Sequence, residues 1–532
     1  MKNTSRPLYL IALDGVGREP LGKWIREGKL PSLKKVIDQN QEKVRTLHNN
    51  TLMRTESCWL TFYQGNSREA CEETAHCDYN PKTYNYRVNT HYTLKHSVPF
   101  FRNSNHPTVI FDTPLIQAEV SGMNSQQTIE IFGWGCESNV STASSKPKDK
   151  ISQIINKFGL HPIYAPPKPT SQLTKDPHGA ITIELPNIYN RPMLLNFLSG
   201  LKKGVTTRTQ IIDNLLSQYQ PNFAIFTYAE AHSAGHLAWH ASNPHPFENN
   251  YSSDILLPIF QCIDQGLGKL FTNYPNADFA LFSPQGMQSN FIELSSSLFL
   301  PEMLFRYARD NAQGLIGGDR KKCESLNPSE FSHWKYAIEK LINSNLINLI
   351  ETPTQLTDVH DCLAWSPARW YKKQWPTMNA FALPSFSEGL IRLNIKGRDG
   401  SRHEKNQISR EGYPKYCEKL CEFLQGWRCA ISGKKLIRNI IQTCDNDLKP
   451  YANYKAFAAD LIVQWREPVI TNHIIHPKYG EIGPVPYFRT GAHSEHGMLI
   501  DLTKYKWISN SYQGKMHLTD LVTELRGFLN NS

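Results

Sequence analysis

The chain has 532 residues, 40% hydrophobic, 11% aromatic and 20% charged, a composition that supports a large buried core and excludes a disordered polymer. Its formal charge of +10 leans toward anionic partners, but the basic residues fall in short clusters (Lys146, Lys148 and Lys150; Lys202 and Lys203; Arg320, Lys321 and Lys322) with no helix-groove or stacking motif, so no nucleic-acid polymer is expected. No signal peptide or membrane-spanning run is read, and the 11 cysteines lack zinc-finger spacing, so a cytoplasmic protein with buried thiols and no membrane partner is expected.

Tyr9 to Leu13 is a short apolar run ending in Asp14-Gly15, which reads as a buried strand delivering a carboxylate at its end. Helical patterning follows from Leu21 to Gln39, with Pro31 opening a second helix. Val109 to Phe111 and Ile129 to Phe132 read as strands, and Ser138 to Asp149 as a flexible loop rich in Ser, Lys and Pro. Thr206 to Tyr219 is an amphipathic helix running into the strand Phe223 to Tyr228, and helix Ile255 to Phe271 precedes strand Asp278 to Ser283. This alternation predicts an α/β protein with a mostly parallel sheet sandwiched by helices.

The stretch 291–470 differs. It holds aromatic-rich helical segments such as Phe331 to Leu349, a strand at Gly389 to Ile395, a helix from Pro414 to Leu424, and strands at Leu436 to Gln442 and Ala459 to Trp465. It reads as a smaller α+β cap lobe inserted into a core made of 1–290 plus 471–532. The core resumes with strand Met498 to Leu502 and a terminal helix from Leu518 to Leu529.

In open α/β sheets functional groups gather where strands end. Asp14, His232 and His236 all fall just after expected strands. His232 and His236 are four apart, so both imidazoles can face one ion if the chain turns into a helix there. His493, within Gly491-Ala492-His493-Ser494-Glu495-His496-Gly497, is a third imidazole in a stretch that can turn tightly. Imidazole and carboxylate suit a divalent metal, zinc first, with manganese or iron also compatible. Thr55 is the candidate nucleophile. A threonine hydroxyl needs activation, which a divalent ion provides, and Thr55 equally suits the cap of a helix through Cys58, Trp59 and Phe62.

This pattern resembles the alkaline phosphatase superfamily, in particular its type I phosphodiesterase/nucleotide pyrophosphatase branch and bacterial relatives. Leu13-Asp14-Gly15 is similar to the family's opening strand, and Thr55, Trp59 and Gly65 to its nucleophile segment. His232 with Gly235-His236 matches a ligand pair, with His where the phosphodiesterases usually have Asp. His493 matches the last ligand, and Ile391 to Asn394 with Gly397-Arg398-Asp399 a further shared segment. The resemblance implies a first metal on His232, His236 and His493. The family's Ser-Asp-His-Gly-Met is here Ser283-Pro284-Gln285-Gly286-Met287, so a second metal would retain only Asp14, Thr55 and Gln285. Asn66 to Cys71 also departs from the family.

The expected function is therefore metal-dependent hydrolysis or transfer on a small anionic phosphate or sulfate ester, a phosphodiester first, through Thr55. The alternative is a non-catalytic descendant that binds an anionic ligand or a protein. Arg489 and His240 are further candidates for substrate contacts, and Glu230, Glu495 and His496 flank the expected ligands.

Overall fold

A run buried on both faces carries no polar alternation, and β1 (Leu8–Leu13) shows this: all six of its residues are buried. Tyr9, Ile11 and Leu13 enter one apolar cluster, and Leu8, Leu10 and Ala12 enter a second on the opposite face. The computed structural model describes residues 6–49, 54–67, 77–88, 98–118, 128–136, 143–164, 185–247, 254–317, 320–352, 354–355, 366–400, 406–455, 457–504, 506–510, 512 and 515–531.

Strands are labelled in chain order. The main sheet joins β1, β2 (Arg45–His48), β5 (Thr108–Phe111), β6 (Thr128–Phe132), β7 (Ser144–Lys146), β8 (Phe223–Tyr228), β9 (Asp278–Ser283), β19 (Gly497–Asp501) and β20 (Met516–His517). Their order is β20-β2-β19-β9-β1-β8-β5-β6-β7. β1 is central and parallel to both neighbours, with Leu13 beside Tyr228 and Ala12 beside Phe282. β5 and β6 continue the parallel set, whereas β19 and β7 run antiparallel. The chain is thus an α/β protein built on a mostly parallel sheet with helices packed on it.

β3 (Cys77–Asn80) and β4 (Asn85–Val88) form a hairpin, and β10 (Gly286–Ser289) pairs with β18 (Gly491–Ser494). A four-stranded sheet has the order β11 (Ala380–Leu383), β12 (Gly389–Leu393), β15 (Leu461–Trp465), β14 (Ile437–Gln442). A three-stranded sheet joins β13 (Arg428–Cys429), β16 (Ile474–His476) and β17 (Gly480–Ile482), and so straddles residue 470. The β3–β4 hairpin leans on the four-stranded sheet, where the Tyr84 hydroxyl donates to Asn394 at 2.8 Å. Arg392 and Arg398 pair with Asp399 and Asp460, which makes them structural ties of this region.

Two expectations are corrected. The loop expected over Ser138 to Asp149 contains β7, an edge strand that takes its backbone partners from β6; residues 138–142 lie outside the described residues. The helix expected from Thr206 begins at Arg191, where Asn190 accepts from the Met193 N–H, and runs to Tyr219. Among the described residues no helix is long and apolar enough to cross a membrane.

Candidate metal centre

β8 ends at Tyr228, and after Ala229 the chain enters the helix Glu230–Ala238 at the carboxyl edge of the sheet. His232 and His236 lie one turn apart on it, and their Nε2 atoms are 3.1 Å from each other. The β10–β18 ladder brings His493 opposite Met287 and aims it at the same point. Its Nε2 is 3.0 Å from that of His232 and 3.2 Å from that of His236. Two glycines permit this approach. A side chain on Gly491 would meet the Gly235 carbonyl at 2.2 Å, and one on Gly235 would meet the Met287 methyl at 2.9 Å.

The triangle of nitrogens is informative because imidazoles alone do not satisfy it. The His236 Nδ1–H donates to the Gly491 carbonyl at 2.8 Å, so a neutral ring presents a bare lone pair at Nε2. Burial first, then Arg489 and the two neighbouring imidazoles, holds the His236 pKa well below the ordinary value, which keeps the ring neutral. Each neutral ring nitrogen is either a donor or an acceptor. However the remaining protons are placed, at least one pair in the triangle sets lone pair against lone pair or N–H against N–H. A cation at the centre removes the conflict. Tetrahedral coordination with N–metal bonds of about 2.0–2.1 Å requires nitrogen separations of about 3.3 Å, and the three found are 3.0, 3.1 and 3.2 Å. Among the described residues this is the one cluster of three or more His, Cys, Asp or Glu ligand atoms close enough to hold an ion.

Asp14 stands outside the triangle. Its Oδ1 accepts the Trp59 indole N–H at 3.0 Å, and its Oδ2 is 3.8 Å from His232 Nδ1, the ring nitrogen facing away from the cluster. Carboxylates placed behind a ligand imidazole fix its orientation and raise its basicity. Glu293 has a similar relation to His236, with Oε1 3.7 Å from Nδ1, and the same oxygen is 3.7 Å from Arg489 Nη1. Arg489 lies over the Phe488 ring at 4.7 Å, and its buried Nε has no partner among the described residues. Gln285 is fully buried at the end of β9, and neither amide atom of its side chain has a partner among the described residues.

Thr55 is the second residue of the helix Arg54–Gln64, which follows β2 at the same carboxyl edge; its side chain lies outside the described residues, as do residues 68–71 of the departing stretch. His240 does not extend the ligand face. It sits in the 3₁₀ turn Trp239–Ala241, where its Nδ1 meets the Thr490 hydroxyl at 2.9 Å. Glu230 points the other way, into a buried ion network with Arg208 and His161. Glu293 and the Gly491 carbonyl escaped the sequence reading. The Asn290 side chain, which accepts from the Ile292 and Glu293 N–H groups, fixes the turn that presents Glu293, a pattern short enough to be found in sequence.

No family model matches the chain, and no curated protein matches it. Among solved structures it is similar to phosphonoacetate hydrolase from Sinorhizobium meliloti 1021 in complex with phosphonoacetate, at 10% identity over 98% of this chain and 96% of that one, with a TM-score of 0.48. It is similar to human ectonucleotide pyrophosphatase/phosphodiesterase 5 at 10% identity, over 99% of this chain and 95% of that one, with a TM-score of 0.41. It is also similar to wild-type alkaline phosphatase PafA at 11% identity, over 99% and 97%, with a TM-score of 0.45.

Proposed function

We propose that the chain is a metal-dependent hydrolase or transferase of the alkaline phosphatase superfamily, acting on a small anionic phosphate or sulfate ester. One observation carries the reading: three imidazole Nε2 atoms converge within 3.2 Å of one another at the carboxyl edge of a parallel sheet. His232, His236 and His493 would hold the ion, zinc being the first candidate for an all-imidazole set. When bound, the ion supplies Lewis-acid stabilisation of charge on the ester oxygens and favours an ionised hydroxyl.

The chain's own residues would divide the remaining work. Thr55 attacks phosphorus or sulfur, the ester oxygen departs, and the covalent intermediate passes to water or an acceptor alcohol. Asp14 backs His232 and offers a carboxylate for any second ion. Arg489 has guanidinium donors to spend on an ester oxygen, and Gln285 has an unspent amide at the same edge. Gln285 is a weak metal ligand, which favours one ion over two and is the specific point for the second reading, a non-catalytic descendant that binds an anion. The segment 291–470 is proposed as the cap lobe that selects the substrate.

The test measures metal per chain in protein purified without chelators, together with turnover of p-nitrophenyl phosphate, its bis ester and p-nitrophenyl sulfate. One tightly held ion is expected, with turnover lost on chelation and restored by zinc. A full complement of ion without turnover of any ester, or absence of metal even after zinc is supplied, would overturn the enzymatic reading and move it to the binding protein. His236→Ala should release the ion at zinc concentrations that saturate the parent protein, as read by elemental analysis after dialysis. Unchanged stoichiometry would remove His236 from the ligand set.

A further inference from the structure

Among the described residues six glutamates are buried: Glu42, Glu130, Glu230, Glu293, Glu302 and Glu388. The first five each have an arginine within 3.7 Å, namely Arg45, Arg102, Arg208, Arg489 and Arg306 in that order. Glu388 departs from this pattern. It is 7% exposed, its Oε2 has no hydrogen-bond partner, and no cation among the described residues pairs with it. A carboxylate taken out of water without a cation or a donor is strongly unfavourable, so a buried, unmatched one points to a charged or donating group that comes from outside the chain.

Glu388 lines an open pocket of about 230 Å³ together with Phe291, Ser387, Arg438, Gln464 and Trp465. Its place follows from the four-stranded sheet. Gly389 pairs with Val463, so Glu388, one residue earlier, falls level with Gln464 of β15. On the other side of β15, Ile437 pairs with Trp465 and Asn439 with Gln464, which leaves Arg438 as the extra residue of a bulge. A bulge re-aims the side chain it carries. Glu388 and Arg438 thus stand at one level of the sheet with a strand between them, a backbone separation of about 9–10 Å at two strand spacings. Arg438 is exposed while Glu388 is buried, so the two signs of charge lie at the mouth and the floor of the pocket. The Trp465 indole N–H donates to Ser296 Oγ at 2.7 Å, and the Ser296 hydroxyl donates to the Ser387 carbonyl at 2.5 Å, which fixes the wall and the residue next to Glu388.

We propose that this pocket binds a small zwitterion with a primary ammonium group, the ammonium against Glu388 and the acid group toward Arg438. The walls set the class. One carboxylate beside the aromatic surface of Phe291 and Trp465 suits an organic ammonium, whereas calcium or magnesium needs six or more oxygen ligands. Arg438 repels a plain cation and matches the oxygens of an acid group. Gln464 accepts from Asn439 through Oε1 at 3.5 Å, which leaves its amide N–H groups for the same acid. The volume lies below the range of drug-sized ligands, so the zwitterion has few heavy atoms. The site is independent of the metal reading, although it lies beside that centre: Phe291 is two residues before Glu293, and the ring of Phe386, two residues before Glu388, is 6.0 Å from the Arg489 guanidinium.

The test uses the full-length protein, with β-alanine as the probe and ethylammonium chloride as the comparison, each titrated by ligand-observed saturation-transfer NMR. β-Alanine should bind, and more tightly than ethylammonium. Glu388→Gln keeps the shape and removes the charge, so it should weaken β-alanine at least tenfold with the melting temperature unchanged or raised. Arg438→Gln, at an exposed position that the fold does not depend on, should weaken β-alanine but not ethylammonium. Failure of β-alanine to bind, or binding that persists unchanged in Glu388→Gln, overturns the proposal. Equal affinity for the two compounds in the parent protein overturns the zwitterion assignment. His236→Ala should leave both titrations unchanged, so the pocket and the metal centre fail separately.

Discussion

Thr55→Ala should lower ester turnover by on the order of 10³-fold or more while leaving the tightly bound ion and the fold in place. The expectation rests on where the helix Arg54–Gln64 is anchored. It begins six residues after β2 ends, at the edge of the sheet where the histidine triangle lies. One turn after residue 55, Trp59 is fully buried and its indole N–H is bonded to Asp14, the carboxylate that backs His232. The helix is thereby tied through Trp59 to Asp14, whose other oxygen lies 3.8 Å from His232 Nδ1. A hydroxyl at residue 55 would act at the N-terminal end of the helix, where the helix dipole favours an anionic ester. Thr55→Ser should keep a substantial part of the turnover, because the attacking oxygen is retained. The measurement is steady-state turnover of the best p-nitrophenyl ester alongside metal content and melting temperature. Undiminished turnover in Thr55→Ala would sink the nucleophile assignment and leave the metal assignment standing.

The parts of this molecule that were legible in sequence are those whose cause is local. β1, β8 and β9 are buried on both faces, so each is built on a continuous apolar run, Leu8 to Leu13, Phe223 to Phe226 and Phe279 to Phe282. The pair His232 and His236 was legible because four residues make one helical turn. The helix Arg191–Tyr219 was read only from Thr206, since Gly200, Lys202, Lys203 and Gly204 interrupt its first half. Those glycines serve tertiary contact. A side chain at Gly204 would meet the His161 ring at 2.2 Å, and one at Gly200 would meet Ile163 at 2.4 Å. β2 was missed because its partners, β19 and β20, lie over 440 residues further on, and only their pairing makes Arg45–His48 a strand. Arg208 was invisible for a different reason: an arginine in a helical pattern reads as surface, whereas here it is fully buried.

That burial sets the largest expected stability effect. Arg208 Nε donates to both Glu230 oxygens at 2.8 and 3.0 Å, Nη1 to Asp112 at 2.8 Å and Nη2 to the Gly135 carbonyl at 2.9 Å. Asp112 also accepts the N–H groups of Gly133, Trp134 and Gly135, so the network ties together the ends of β5 and β6. Glu230 opens the helix that carries His232 and His236, and His161 Nε2 lies 3.2 Å from its carboxylate. Burial pushes the Glu230 carboxyl up, but Arg208 and His161 outweigh it and hold the pKa below the ordinary value, so Glu230 is ionised at neutral pH. Arg208→Met removes the cation and leaves two buried carboxylates facing each other, a change that costs about 3–5 kcal/mol. A paired change, Arg208→Met with Glu230→Gln, should cost less than the sum of the single changes, because one of the stranded charges goes with its partner. Denaturant unfolding of the parent, both single variants and the double variant measures this coupling. Zinc affinity read on the same proteins should fall in Arg208→Met, since the ligand helix loses the anchor at its first residue. A loss below about 1 kcal/mol, or simple additivity in the cycle, would show that this network neither stabilises the fold nor positions the histidines.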